Sequence, residues 1–108
     1  MDADNQIVVP PSFIALFQDG RGRLQELPAT VRERYELCED MASSLTERAL
    51  QVIHDHPSEA GVLQAFHAAL NQPATGLRQV EARWVVLRLA ELLNWASPPL
   101  QAAEITRP

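Results

Sequence analysis

The most restrictive feature of this sequence is an apolar stripe that runs from Val31 to Val52 in alternating steps of four and three residues. That spacing places all its members on one side of an α-helix. The stripe consists of Val31, Tyr35, Cys38, Ala42, Leu45, Ala49 and Val52. The opposite side is polar and consists of Glu33, Glu36, Asp40, Ser43 and Glu47. The sequence therefore predicts a long amphipathic helix with one buried face and one solvated face.

Helix-start and helix-stop signals assign the ends of this helix and of a shorter one before it. The short helix covers the apolar run at residues 13–17, with either Ser12 as its cap or Pro11 in its first turn. The long helix is predicted to begin at Thr30, because Thr30-x-x-Glu33 has the spacing of a capping box. Pro57 is predicted to stop it.

Two more helices follow. The third is predicted to open at Ser58 and to end before Pro73, and the fourth to run from about Leu77 to Trp95. The predicted fold class is therefore all-α, a small bundle of three main helices plus a short N-terminal helix.

A chain of 108 residues has the size of one domain with one modest core. We expect a single helical domain over residues 12–96. Residues 1–11 are expected to be extended or disordered, and residues 97–108 to form a disordered tail, because neither end has enough apolar periodicity to predict order.

The fourth helix is apolar on two sides, so it needs two packing partners. Its broad face consists of Ala82, Val85, Val86, Leu89, Leu92 and Leu93. A narrower seam on the other side consists of Leu77, Val80, Trp84 and Leu87. The seam could be covered internally by the short first helix, or externally by a protein partner or a second copy of the chain. The candidate interaction residues are Phe13, Phe17, Leu77, Val80, Trp84 and Leu87.

Composition limits the possible chemistry and partners. All nine basic residues are arginine, which excludes a Schiff-base lysine and the lysine of a phosphate-binding P-loop. The net charge of −5 argues against a nucleic-acid partner. No apolar run reaches the roughly 20 residues of a membrane span, so no membrane partner is expected. Cys38 is the only cysteine, so no internal disulfide forms, and a cytoplasmic location is expected.

Residues that could carry catalysis form only weak patterns. Four acids within two helical turns, Glu33, Glu36, Glu39 and Asp40, could bind a metal but lack the histidine partners of helical di-metal sites. His54 and His56 supply two ligands where zinc needs three or four. A triad of Cys38, His67 and Asp55 is conceivable. We therefore expect no catalytic residues, no metal and no cofactor, with a small metal-dependent or Cys/His-based enzyme or regulator as the alternative.

The loop Gly20-Arg21-Gly22-Arg23 has two interpretations. It could bind an anion through its backbone amides, but it lacks the strand-to-helix context of a phosphate loop. A flexible linker is the preferred interpretation.

Three segments resemble a group of short, uncharacterised proteobacterial proteins, some of them labelled an ATPase with chaperone activity. The segments are PPSFIALF at residues 10–17, RYELCEDMA at residues 34–42 and EARWVVLRLAELLNW at residues 81–95. The resemblance implies chaperone-like or adaptor association and transfers no functional residues. The chain departs from the ATPase label, because it has no G-x-x-x-x-G-K-[ST] and no lysine. The predicted function is a non-catalytic protein-interaction module.

Overall fold

A computed structural model describes residues 8–55 and 58–97, and every regular element in these ranges is helical. The elements are α1 (Pro11–Ile14), α2 (Pro28–Val52), α3 (Glu59–Leu70) and α4 (Gln79–Leu93), with single 3-10 turns at Ala15–Phe17, Ile53–Asp55 and Pro73–Thr75. The predicted all-α fold with three main helices and a short N-terminal helix is confirmed. Three parts of the chain lie outside the described residues: residues 1–7, predicted to be extended or disordered; residues 98–108, predicted to be a disordered tail; and His56 with Pro57.

The chain divides into two compact units, Met1–Leu37 and Cys38–Pro108, and the boundary between them falls inside α2. The long helix therefore contributes its first turns to one unit and its remaining turns to the other. In the described ranges, no helix has the length and apolar character required to cross a membrane.

In the first unit, α1 starts at a proline. Pro11 occupies the first turn and Pro10 stands at the cap position without a side-chain hydrogen bond to the helix, so the alternative with Ser12 as cap is wrong. Proline suits this place, because its fixed φ is already helical and the missing N–H would have no partner there. The helix buries Phe13, whose ring lies 5.5 Å from Phe17 and 5.6 Å from Tyr35 between centroids.

Proline also begins α2. The helix starts at Pro28, and the backbone N–H of Val31 already donates to the Leu27 carbonyl at 3.0 Å. The predicted capping box starting at Thr30 is therefore wrong, because Thr30 lies inside the first turn. The sequence Pro-x-Thr-x-x-Glu contains two possible helix starts, one at Pro28 and one at Thr30. The helix begins at Pro28, because proline is favoured at the first helical position.

The predicted faces of α2 are confirmed. Every member of the apolar stripe is buried or half-buried, whereas Glu33, Glu36, Asp40, Ser43 and Glu47 are all exposed. Cys38, Ala42 and Ala49 have no exposed surface at all. α2 therefore buries a narrow line of small side chains.

The second unit packs α3 and α4 against each other and buries a core between them. The fully buried residues of that core are Leu63, Val86, Leu89 and Ala90, and the half-buried residues packed on it are Leu45, Phe66, Leu70, Leu93 and Trp95. Leu45 belongs to α2, so all three main helices contribute side chains to the second unit.

Two polar residues start and stop α4. The helix begins at Gln79, two residues later than predicted, and the Glu81 carboxylate accepts the Arg78 N–H at 2.9 Å. It ends at Leu93, because Asn94 adopts a left-handed φ of 60°. The Trp95 N–H then donates to Ala90 at 2.8 Å, the pattern of a Schellman cap. The predicted end at Trp95 is therefore two residues too late.

The third helix was predicted to open at Ser58, and in the structure Ser58 is the N-cap of α3: its hydroxyl oxygen accepts the Gly61 N–H at 3.0 Å. We predict that Ser58→Ala lowers the free energy of unfolding by about 1 kcal/mol, the usual cost of a lost cap. Urea unfolding followed by circular dichroism measures it. The control is Ser43→Ala, at an exposed position inside α2, where alanine should be neutral or stabilising. Equal losses in both variants would contradict the capping role.

Candidate functional site

The six predicted interaction residues fall in both units, and their bulkiest members are buried. Phe13 and Phe17 pack together in the first unit and are 0% and 6% exposed. Trp84, in the second unit, is 8% exposed, Leu77 and Leu87 are half-buried, and Val80 is 39% exposed. Little aromatic surface is therefore available to a partner of the folded chain. Whether these residues form an interaction surface stays a prediction.

The first unit contains an apolar groove that the sequence did not reveal. It measures about 270 Å³, is open to solvent, and is lined by Val9, Ile14, Leu24, Pro28, Val31 and Arg32. Leu24 is 39% exposed, and Val8 and Leu27, which precede lining residues in sequence, are 78% and 70% exposed. An apolar lining that includes an exposed side chain, in a concave surface, is typical of a binding site.

A turn between α1 and α2 places Leu24 on the groove. The Asp19 carboxylate accepts the backbone N–H groups of Arg21 at 2.8 Å and Arg23 at 2.9 Å, and Gln25 Nε2 at 3.2 Å. Gly22, with φ 81°, supplies the left-handed residue that the turn requires. Gln18 and Leu24 then form an isolated antiparallel bridge. The chain thus returns beside α1 before α2 begins.

This turn corrects the interpretation of the Gly20-Arg21-Gly22-Arg23 loop. The sequence predicted a flexible linker, whereas the structure shows a turn organised by Asp19. The signal was the aspartate before the first glycine, because aspartate side chains accept hydrogen bonds from backbone N–H groups a few residues ahead. Since Asp19 already occupies the N–H groups of Arg21 and Arg23, these amides are not available to bind an external anion.

Among the described residues that line the groove, Arg32 is the single charged one. Within residues 8–55 and 58–97, its guanidinium makes no hydrogen bond or ion pair. The first turn of α2 contains no acidic residue either. The groove therefore presents aliphatic carbon together with one positive charge that the described part of the chain does not neutralise.

The acidic side of α2 includes one residue that is engaged elsewhere. Arg88 on α4 forms a bidentate ion pair with Glu39, in which Nε donates to Oε1 at 2.9 Å and Nη2 donates to Oε2 at 3.0 Å. Its Nη1 also donates to Oε1 of Glu91 at 3.0 Å. The hydrogen bonds that Arg88 donates to Glu39, and secondarily to Glu91, raise the pKa of Arg88 above its ordinary value. Glu39 therefore links α2 to α4, while Glu33, Glu36 and Asp40 remain exposed.

The residues considered for catalysis are not assembled in the described ranges. Cys38 has no exposed surface, His67 is 7% exposed, and Asp55 is exposed at the end of α2. Among the described residues, no three His, Cys, Asp or Glu side chains are grouped as a metal ion would require. The expectation of no metal and no cofactor stays a prediction.

His67 is the unusual polar residue of the second unit. Its Nε2 atom is buried without a hydrogen-bond partner in the described structure, as is Oδ1 of Asn71 one turn later on α3. Burial, and secondarily the positive charge of Arg83, lower the pKa of His67 below its ordinary value of 6.5. The folded state therefore favours a neutral imidazole.

No family model matches the sequence, and neither the curated proteins nor the solved structures compared with it gave a match. The class of the protein thus rests on its own fold, an all-α chain with an apolar groove near its N-terminal helix. The resemblance to the short proteobacterial proteins stays a prediction.

We predict that stability falls as the pH drops below 6.5, because His67 is protonated more easily in the unfolded chain than in the folded one. The loss begins at the unfolded pKa and levels off below the lower, folded pKa. Urea unfolding measured across this pH range gives the free energy of unfolding as a function of pH. Its slope against pH should be smaller for His67→Gln than for the wild type. The control, His54→Gln, makes the same substitution at an exposed histidine. An unchanged slope in His67→Gln would contradict the assignment.

Proposed function

We propose that this chain is a non-catalytic protein-interaction module that binds an apolar segment in the groove of its first unit. The observation that carries the proposal is the groove itself, with aliphatic lining from Val9, Ile14, Leu24 and Val31. The bound segment belongs to another protein or to a second copy of the chain.

The exposed apolar surface of the lining supports this location. Leu24 keeps 39% of its surface in solvent, and Val8 and Leu27, which are adjacent in sequence to the lining residues Val9 and Pro28, keep 78% and 70%. Covering such side chains stabilises a complex by about 25 cal/mol for each Å² removed from water. A small pocket that accepts one or two anchoring side chains supplies much of the binding energy of many protein interfaces.

The proposal is non-catalytic because the strongest nucleophile of the chain, Cys38, has no exposed surface. A buried thiol behaves as a small apolar side chain. A cytoplasmic location is part of the proposal, since a single free cysteine suits a reducing compartment.

Peptide selection with the full chain as bait tests the groove. We expect displayed random peptides with aliphatic residues to be enriched, and Leu24→Glu to weaken the best of them by about tenfold or more, equivalent to about 1.4 kcal/mol. Fluorescence polarisation measures the Kd. Leu92→Glu is the matched control, because Leu92 on α4 has the same 39% exposure and lies in the second unit. It should leave the Kd unchanged.

Two results would contradict the proposal: no peptide enriched over an unrelated bait, or equal weakening by the two glutamate variants. Urea unfolding must first show that both variants fold. Light scattering behind a sizing column, over a concentration series, identifies the occupant. The monomer has a mass of 12.0 kDa. If the wild type reaches twice this mass and Leu24→Glu remains a monomer, the groove is assigned to a second copy.

A further inference from the structure

The structure points to the chemistry of the partner, and this inference rests on the function proposed above. We propose that the groove binds a segment of another protein that places an aliphatic side chain against Leu24 and Val31 and a carboxylate on Arg32. The groove thus recognises an apolar residue and an acidic residue at a fixed separation.

The state of Arg32 is the first step of the argument. Arg32 lines an apolar groove, and its guanidinium has no hydrogen-bonding or ion-pairing partner in the described residues. Arg88 shows the contrast, because its guanidinium binds both Glu39 and Glu91. A guanidinium is planar and presents paired N–H donors that match a carboxylate. The group that Arg32 lacks within the described chain is therefore one that an acidic residue supplies.

Helix polarity is the second step. The first turn of α2 contains no acidic residue, and Arg32 follows it directly as the fifth residue of the helix. The positive end of a helix favours negative charge within about one turn. A carboxylate bound to Arg32 next to that turn adds to the preference for acidic over neutral segments.

Groove size favours a protein segment over a small molecule. Pockets for drug-sized ligands span about 300–1,000 Å³ and enclose most of the ligand. The groove has about 270 Å³ and is open to solvent, which suits one or two side chains anchored from a larger surface. Two copies of this chain carry −5 each, so long-range repulsion disfavours a second copy as the occupant.

Peptide selection against wild type and Arg32→Glu, both as full chains, tests the inference. We expect wild-type binders to contain an aliphatic residue with Asp or Glu at a constant spacing, and Arg32→Glu to select Lys or Arg at the acidic position. Arg32→Gln should weaken the best wild-type peptide by about tenfold or more. Changing the acid of that peptide to its amide should cause the same loss, and combining the two changes should add little more.

Arg48→Glu is the matched control, because Arg48 is an exposed arginine of the same helix and the charge change is identical. It should leave both the Kd and the selected sequences unchanged. Urea unfolding of each variant shows whether it is folded before binding is measured.

The possible failures are distinguishable. Two outcomes overturn the acidic-segment inference and leave the interaction module standing. In the first, Leu24→Glu abolishes binding but the selected peptides show no preference for acidic residues. In the second, wild type and Arg32→Glu select the same peptides. Absence of any enriched peptide overturns both. A concentration-dependent dimer that Leu24→Glu dissociates overturns the assignment of the groove to another protein, because the occupant is then a second copy.

Discussion

The buried stripe of α2 is the constraint on which both units depend. The helix runs unbroken from Pro28 to Val52, although the boundary between the units falls at residues 37 and 38. Val31 is buried on it in the first unit, and Cys38, Ala42 and Ala49 are fully buried on it in the second. Larger residues at the three small positions would overpack the second unit. One face of one helix thus contributes buried residues to both units.

The helical part of the fold was predictable because periodicity reports which side of a helix is buried. The α2 stripe was predicted from spacing, and the start of α3 at Ser58 from a start signal in the sequence. Helix ends were less predictable, because they depend on single residues with several possible roles. Asn94 can be a helical residue or a left-handed stop, and Pro28 competes with Thr30 as a start. Local sequence does not rank such alternatives, since tertiary packing decides between them.

The candidate site was less predictable than the fold. Periodicity identifies Trp84 as apolar-facing but does not tell whether the folded chain covers it, and the structure leaves only 8% of it exposed. The groove depends on residues far apart in sequence, from Val9 to Arg32, that meet because Asp19 organises the intervening turn. Arg32 looks like any helical surface arginine until its apolar neighbours are in place. Sites assembled by a turn leave little periodic signal.

The position of Cys38 gives the protein a built-in reporter of local opening. It is the only cysteine of the chain, it is fully buried, and it is the first residue after the boundary between the units. A thiol reagent reaches it only when the middle of α2 is transiently uncovered. When the helix closes faster than the thiol reacts, the labelling rate gives the free energy of that opening. When a high reagent concentration makes the reaction faster than closing, the labelling rate gives the opening rate. Thiol labelling thus distinguishes whether α2 holds its two units as one cooperative element or opens at their junction.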